Sequence, residues 1–271
     1  MSTSEEREAP HLVPAVERAV RLLDALAGAR SPKSLADLAR ELALPKSSVH
    51  GLLSTLVALG LARRDADHAF SLGTRPLQWA DAYASQSDVM RAFDACLDDV
   101  DALRAETVML AILDGTEVTY LACRQGTRAL AVNFRVGGRF PASCTSSGKA
   151  MLASLPDARV EALYARAPLQ RLTRHSIGNL DALRQQLQAF RRDGFAVDDE
   201  ETAEGMHCFG AAVYAARRTE AVAAVAVSSI KASISGTQRD RLVASIRELA
   251  ARMSTVLGAA PNPASPQPAG S

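Results

Sequence analysis

Residues 44 to 57 read LPKSSVHGLLSTLV, and the way this stretch is laid out decides how the first quarter of the chain folds. Pro45 has no amide hydrogen to leave unpaired, so it suits the first turn of a helix. Val49, Leu52, Leu53, Leu56 and Val57 then recur at steps of three and four, which places them on one buried face of a helix that stops near Gly60. Upstream, Ala43 and Leu44 form a tight connection to a two-turn helix. Ser34 caps that helix, Asp37 stands three residues on, and Leu35, Leu38, Ala39 and Leu42 are its apolar face. Before it, Val16, Ala19, Val20, Leu23, Leu26 and Ala27 make an apolar stripe on a helix that Pro14 opens and Gly28 closes. Downstream, Leu61 to Arg64 and Ala69 to Leu72 flank the polar turn Asp65 to His68 and read as a small β-hairpin.

Helix, helix, turn, helix and hairpin describe a winged helix-turn-helix over residues 11–73. Its third helix carries Lys46, Ser47, His50, Gly51 and Ser54 opposite the apolar face, all of them small or hydrogen-bonding residues. Ser48 lies beside them, suited equally to a base contact, a cap or packing. Such a face enters a major groove, with Lys46 and the amides of the helix start on phosphate and Arg63 and Arg64 of the hairpin on the backbone or minor groove. The expected DNA-binding residues are therefore Lys46, Ser47, Ser48, His50, Ser54, Arg63 and Arg64. The bland alternative is a solvated helix face on a protein-interaction module.

Global charge alone speaks against nucleic acid. Over 271 residues, 31 Lys and Arg meet 30 Asp and Glu, for a formal charge of +1. Local charge says otherwise, because Leu42 to Arg64 holds three basic residues and no acidic one, with Glu41 and Asp65 immediately outside. The composition, 48% apolar and 23% charged, is that of a globular protein and excludes collagen-like or wholly disordered chains. Cys96, Cys123, Cys144 and Cys208 have no paired zinc-site spacing and are expected as reduced thiols. No metal or cofactor is expected. The polar start MSTSEEREA has no signal-peptide pattern and no apolar run reaches a membrane span, so a cytoplasmic protein is expected. Residues 1–10 and the Pro-rich 259–271 are expected to be disordered tails.

From residue 75 the pattern changes. Residues 75–104 have helical spacing in two stretches that bend between Ser85 and Ser87, and 74–88 reads as a linker helix. Residues 89–258 mix β-rich runs at 107–113, 117–123, 129–134, 210–214 and 221–230 with helices near 148–164, 180–193 and 237–257. That is an α+β domain.

Two segments of it carry chemistry. Residues 137–150, GGRFPASCTSSGKA, run through small hydroxyl residues into a helix whose amides can cradle a carboxylate. A phosphate loop fails twice there, with Ser143 where glycine is required and Ala150 where Ser or Thr is required. Asp198 to Glu201 are four consecutive carboxylates. Adjacent residues of a turn cannot all point inward, so a solvated corner with one carboxylate used as a cap is expected rather than a metal site. A nucleophile from Cys144 or a serine, with His207 or His175 as base, lacks any framing motif, and no catalytic residue is expected.

The residues resemble the IclR family of bacterial transcriptional regulators over essentially the whole ordered chain. The matching stretches are Ala15 to Ala19, Leu44 to His50, Cys144 to Ala150, Asp198 to Glu201 and Ala223 to Ser229. The resemblance implies a winged helix-turn-helix joined by a linker helix to a GAF-like effector domain. It also implies a homodimer or tetramer on a double-stranded operator, and a small organic acid bound in the second domain. Its implied effector site takes in Cys144, Thr145, Ser146, Ser147, Asp198, Met206, Cys208 and Ser228. One departure concerns the ligand. Where family members often have Ser-Val-Ser-Gly, this chain has Ala226-Val227-Ser228-Ser229, one hydroxyl fewer at the first position. The Ala142 to Gly148 run resembles the aromatic-acid branch more than the glyoxylate branch. The alternative is a metabolite-binding or hydrolytic protein with an accessory winged helix.

Overall fold

The computed structural model describes residues 12–127 and 134–260. The chain divides into two compact units, Met1–Gln86 and Ser87–Ser271. The strand expected at 129–134, apart from Phe134, and nearly all of both expected tails lie outside the described residues.

The N-terminal unit comprises α1 (Pro14–Ala27), α2 (Leu35–Glu41), α3 (Lys46–Ala58), the antiparallel hairpin β1 (Ala62–Arg64) and β2 (Phe70–Leu72), and α4 (Arg75–Gln86). The Ser34 hydroxyl accepts from the Asp37 amide and caps α2 as expected. Ala43 bridges α2 and α3 at φ 52°, a left-handed conformation that a Cβ makes costly and that the tight turn requires. Leu22, Leu26, Leu38, Val49, Leu53, Leu56 and Phe70 close the core. The stripe expected on α1 is corrected here: Leu22 and Leu26 are buried, whereas Val16 and Val20 are 61% and 50% exposed. Helix α1 has apolar residues on two faces, and only one meets the core. Helix α4 buries no residue and exposes Leu77, Trp79 and Tyr83.

In the C-terminal unit a six-stranded antiparallel sheet runs in the order β5-β4-β3-β8-β7-β6. Its strands are β3 (Thr107–Asp114), β4 (Glu117–Arg124), β5 (Arg139–Pro141), β6 (Ala196–Asp199), β7 (Met206–Val213) and β8 (Ala223–Ile230). Helices α5 (Asp88–Leu97) and α9 (Gly236–Val256) cover one face through Phe93, Leu97, Leu242, Ile246 and Leu249. Helices α6 (Ser146–Ser154), α7 (Asp157–Ala165) and α8 (Leu180–Asp193) cover the other through Met151, Leu152, Val160, Leu183 and Leu187. The single helix expected at 148–164 is two, because Leu155 is extended and Pro156 starts afresh as the cap of α7. Strands β5 and β6 were not anticipated. The fold class is α+β, with an N-terminal helix-turn-helix and a C-terminal α/β unit.

Candidate functional site

The residues expected on DNA form one outward face. Lys46, Ser47, His50, Gly51 and Ser54 of α3 are exposed and Ser48 is half-buried. The Ser54 hydroxyl donates to the His50 carbonyl at 2.9 Å, one turn back, and keeps its lone pairs for an incoming donor. Arg63 and Arg64 are exposed on β1, and the Arg64 guanidinium lies over the Phe70 ring, 5.7 Å from its centre, which holds that arm of the hairpin in place. Lys46 has no ion pair among the described residues, so its charge is available to a phosphate.

The eight residues of the implied effector site are all buried, on the α6 side of the second sheet or in the turn leading into it. Register explains half of them. Asp198 pairs with Cys208 and Cys208 with Ser228, and residues directly opposite on antiparallel strands share a face. A polar row therefore crosses β6, β7 and β8 beneath the start of α6. The Cys208 thiol and Ser228 hydroxyl lie 3.1 Å apart, and Ser228 reaches the Met109 sulfur at 3.9 Å. Met206 stands two residues before Cys208 on the same face.

Above the row, the Thr145 hydroxyl caps α6 by accepting from the Gly148 amide at 3.0 Å. Two glycines permit close packing at the helix start, Gly210 between β7 and α6 and Gly148 between α6 and the turn at Ala142. A Cβ on Gly210 would fall 2.6 Å from the Ser146 carbonyl, and one on Gly148 would fall 2.3 Å from the Ala142 carbonyl oxygen. The Ser147 hydroxyl is fully buried without a hydrogen-bond partner among the described residues, facing the phenol of Tyr120. Tyr120 packs against Phe134 and Phe140, with ring centres 5.4 and 5.5 Å away, so an aromatic wall flanks the polar row. Burial pushes the Tyr120 phenol and the Cys208 thiol up, so both are neutral hydrogen-bonding groups at pH 7.

The four carboxylates part company. Strand alternation turns Asp198 inward and Asp199 outward, and the turn that follows sends Glu200 to the surface and Glu201 back inside. The expectation of a solvated corner with one working carboxylate is thus corrected: two are buried. Asp198 Oδ1 accepts the Glu201 amide at 2.8 Å and the Thr202 amide at 3.1 Å. Glu201 Oε1 meets Lys149 Nζ of α6 at 2.5 Å, and the same ammonium donates to Gln186 Oε1 of α8 at 2.6 Å. Burial pushes the Asp198 and Glu201 carboxyls up, with Lys149 opposing it in both. Outside, Lys231 bonds Asp199 and Glu200 at 2.7 Å each, and holds the Glu200 carboxyl at about 2. Among the described residues no group of three or more His, Cys, Asp or Glu is arranged to hold a metal ion.

Cys144 stands apart from the row. Its thiol points to the Gln170 carbonyl at 3.3 Å, and burial pushes it up, away from the thiolate that a nucleophile needs. His207 projects from the other side of β7 and stacks on Phe209, with ring centres 4.7 Å apart. His175 lies 3.9 Å from Glu200 at the surface. Two open grooves on this unit, of about 480 and 420 Å³, lie along α7 and contain none of the eight residues. Sequence reasoning missed Tyr120, Lys149, Gln186 and Glu201 as contributors to the row. A lysine set among small residues at a helix start was the one available signal.

The model of the bacterial transcriptional regulator IclR C-terminal domain matches residues 81–255, and that of the IclR helix-turn-helix domain matches residues 15–66. The chain belongs to the IclR family. It is thus a DNA-binding transcriptional regulator. The probable transcriptional regulator SauR of Cupriavidus necator is 34% identical over 218 residues, 80% of this chain and 86% of that one. The repressor BlcR of Agobacterium tumefaciens is 36% identical, with 92% of this chain and 98% of that one covered and a TM-score of 0.60. An IclR homologue from Microbacterium hydrocarbonoxydans, solved in complex with 4-hydroxybenzoate, is 25% identical, with 90% of this chain and 99% of that one covered and a TM-score of 0.75. No helix among the described residues is long and apolar enough to cross a membrane.

Proposed function

We propose that the protein binds a pseudo-palindromic operator through α3 and the β1–β2 wing, and that a small organic acid in the C-terminal unit modulates this binding. Lys46, Ser47, Ser48, His50, Ser54, Arg63 and Arg64 meet the DNA. Ser146, Ser147, Asp198, Met206, Cys208 and Ser228 surround the acid, with Tyr120 as an aromatic neighbour. Cys144 and Thr145 serve indirectly, by shaping the turn and capping α6. The observation that carries the ligand reading is the Ser147 hydroxyl, buried without a partner at the N-terminus of α6. Such an orphan costs stability unless something completes it, and a helix N-terminus is disposed to complete an anion. The bound 4-hydroxybenzoate of the Microbacterium relative supports an aromatic monocarboxylate, as do the rings of Tyr120, Phe134 and Phe140.

A homodimer, alone or paired into a tetramer, is the assembly this mechanism uses. The exposed apolar residues of α1 and α4, among them Val16, Val20, Leu77, Trp79 and Tyr83, supply a surface for it. The test is a mobility-shift titration with the DNA upstream of the protein's own gene, with and without benzoate, 4-hydroxybenzoate, pyruvate and glyoxylate. Retarded DNA whose affinity changes about 5- to 150-fold with one acid is expected, the range typical of allosteric coupling. Failure to retard that DNA defeats the operator reading, and indifference to every acid defeats the ligand reading.

A further inference from the structure

Asp198 is the buried carboxylate in the polar row that no cation among the described residues holds by a hydrogen bond. The charged side chains packed near it are Lys149 of α6 and Glu201 of the following turn, and these two are bonded to each other. From β7 it meets the Cys208 thiol, and from β4 the Tyr120 phenol, both neutral. Helix α8 contributes the uncharged Gln186, which is spent on Lys149. His207 lies on the opposite face of β7. Lys231 is engaged outside by Asp199 and Glu200. With Asp198 and Glu201 ionised, one positive charge faces two negative ones before any ligand arrives.

A carboxylate entering at the unpartnered Ser147 hydroxyl would add a third negative charge to a site with almost no solvent. Like charges so confined do not all stay ionised, and the group without a cation is the one that takes the proton. We propose, building on the organic-acid reading above, that the site takes a singly charged acid together with one proton, and that Asp198 receives it. The ligand carboxylate keeps its charge, facing the α6 amides and Ser147. The proton comes from solvent and sits on the Asp198 oxygen opposite Oδ1, which the Glu201 and Thr202 amides continue to hold. Asp198 thereby becomes a hydrogen-bond donor, and it determines specificity by charge. A dicarboxylate of similar size would need a second proton or an unpaired buried charge, and is excluded.

The experiment is titration calorimetry of the full chain with benzoate and 4-hydroxybenzoate, and with phthalate as the dianion, in two buffers of different ionisation enthalpy from pH 6 to 8. Uptake of about one proton per monocarboxylate is expected between the free-state and bound-state pKa of Asp198, with affinity falling about tenfold per pH unit across that range. Phthalate should not bind. Asp198→Asn presents the same shape as the protonated acid. It should bind the monocarboxylate with no proton uptake and no pH dependence, and more tightly than the unsubstituted protein at pH 8. A merely structural role would instead lose binding in Asp198→Asn at every pH. That loss, binding without proton uptake in the unsubstituted protein, or preference for phthalate overturns the proposal while leaving the organic-acid reading standing. Binding of none of the three acids, with neither these nor pyruvate or glyoxylate altering the DNA shift, removes the organic-acid reading and the proposal with it.

Discussion

Two helices of this protein begin almost alike, α3 with Lys46-Ser47-Ser48 and α6 with Ser146-Ser147-Gly148-Lys149, yet they are built for opposite tasks. On α3 the lysine is exposed, with no ion pair among the described residues, and Ser47 is exposed beside it. On α6 the lysine is 1% exposed and bonded to Glu201, and the serines are buried against the sheet. A solvated cation binds a polyanion by releasing counterions, and it needs no fixed partner. A buried one must be neutralised within the fold, which leaves neutral dipoles to recognise whatever enters. Burial, rather than residue type, separates the proposed DNA face from the proposed acid site.

The largest expected effect tests the two lysines directly. Lys149→Ala leaves Glu201 buried without its partner and should destabilise the C-terminal unit by about 3–5 kcal/mol. Lys46→Ala should change stability by less than about 0.5 kcal/mol. Chemical denaturation of both variants decides, and equal losses would break the comparison. Next comes Ser147→Ala. Removing a hydroxyl that has no partner should stabilise the protein by about 1 kcal/mol while weakening the response to acids. A destabilised variant would mean that Ser147 already has its bond.

A smaller effect belongs to the DNA face. Lys46→Ala should lower the slope of log affinity against log salt by about one unit per bound subunit, and weaken specific and non-specific DNA alike. An unchanged slope in filter-binding or shift assays across a salt series would take Lys46 off the phosphates. The smallest concerns the exposed corner. Lys231 lowers the Glu200 carboxyl from 4.5 to about 2, so the stabilisation it brings is complete above pH 4.5 and fades as pH falls towards 2. Glu200→Gln should flatten that part of the stability profile, and identical melting curves from pH 5 to pH 2.5 would dismiss the interaction.

How much of this was legible in the sequence follows the same division. The third helix and its outward residues could be read because an exposed amphipathic helix declares both faces in its spacing. Helix α1 was half-legible. Val16 and Val20 have the spacing of a core stripe, and nothing local separates an apolar face that meets the core from one that does not. Pro156 was a readable break that the apolar spacing of 148–164 outweighed. The acidic run concealed β6, since carboxylates are poor strand formers and only pairing with β7 makes sense of Asp198. Lys149 and Glu201 are 52 positions apart, so their bond is a product of topology that no local pattern contains.

The close seat of α6 on the sheet also bears on how such a protein changes its ligand. At Gly210 the backbones of β7 and α6 touch, and at Gly148 the helix touches the turn at Ala142, so one added carbon at either would force the first turn of α6 to shift. The seat of the helix is thus set by main chain, whereas Tyr120, Ser147 and Ser228 of the proposed acid site act through their side chains. On the proposed reading, a change of acid is reached through side chains and not by moving the helix, and an engineer seeking a sensor for another acid would randomise those three positions and leave both glycines untouched.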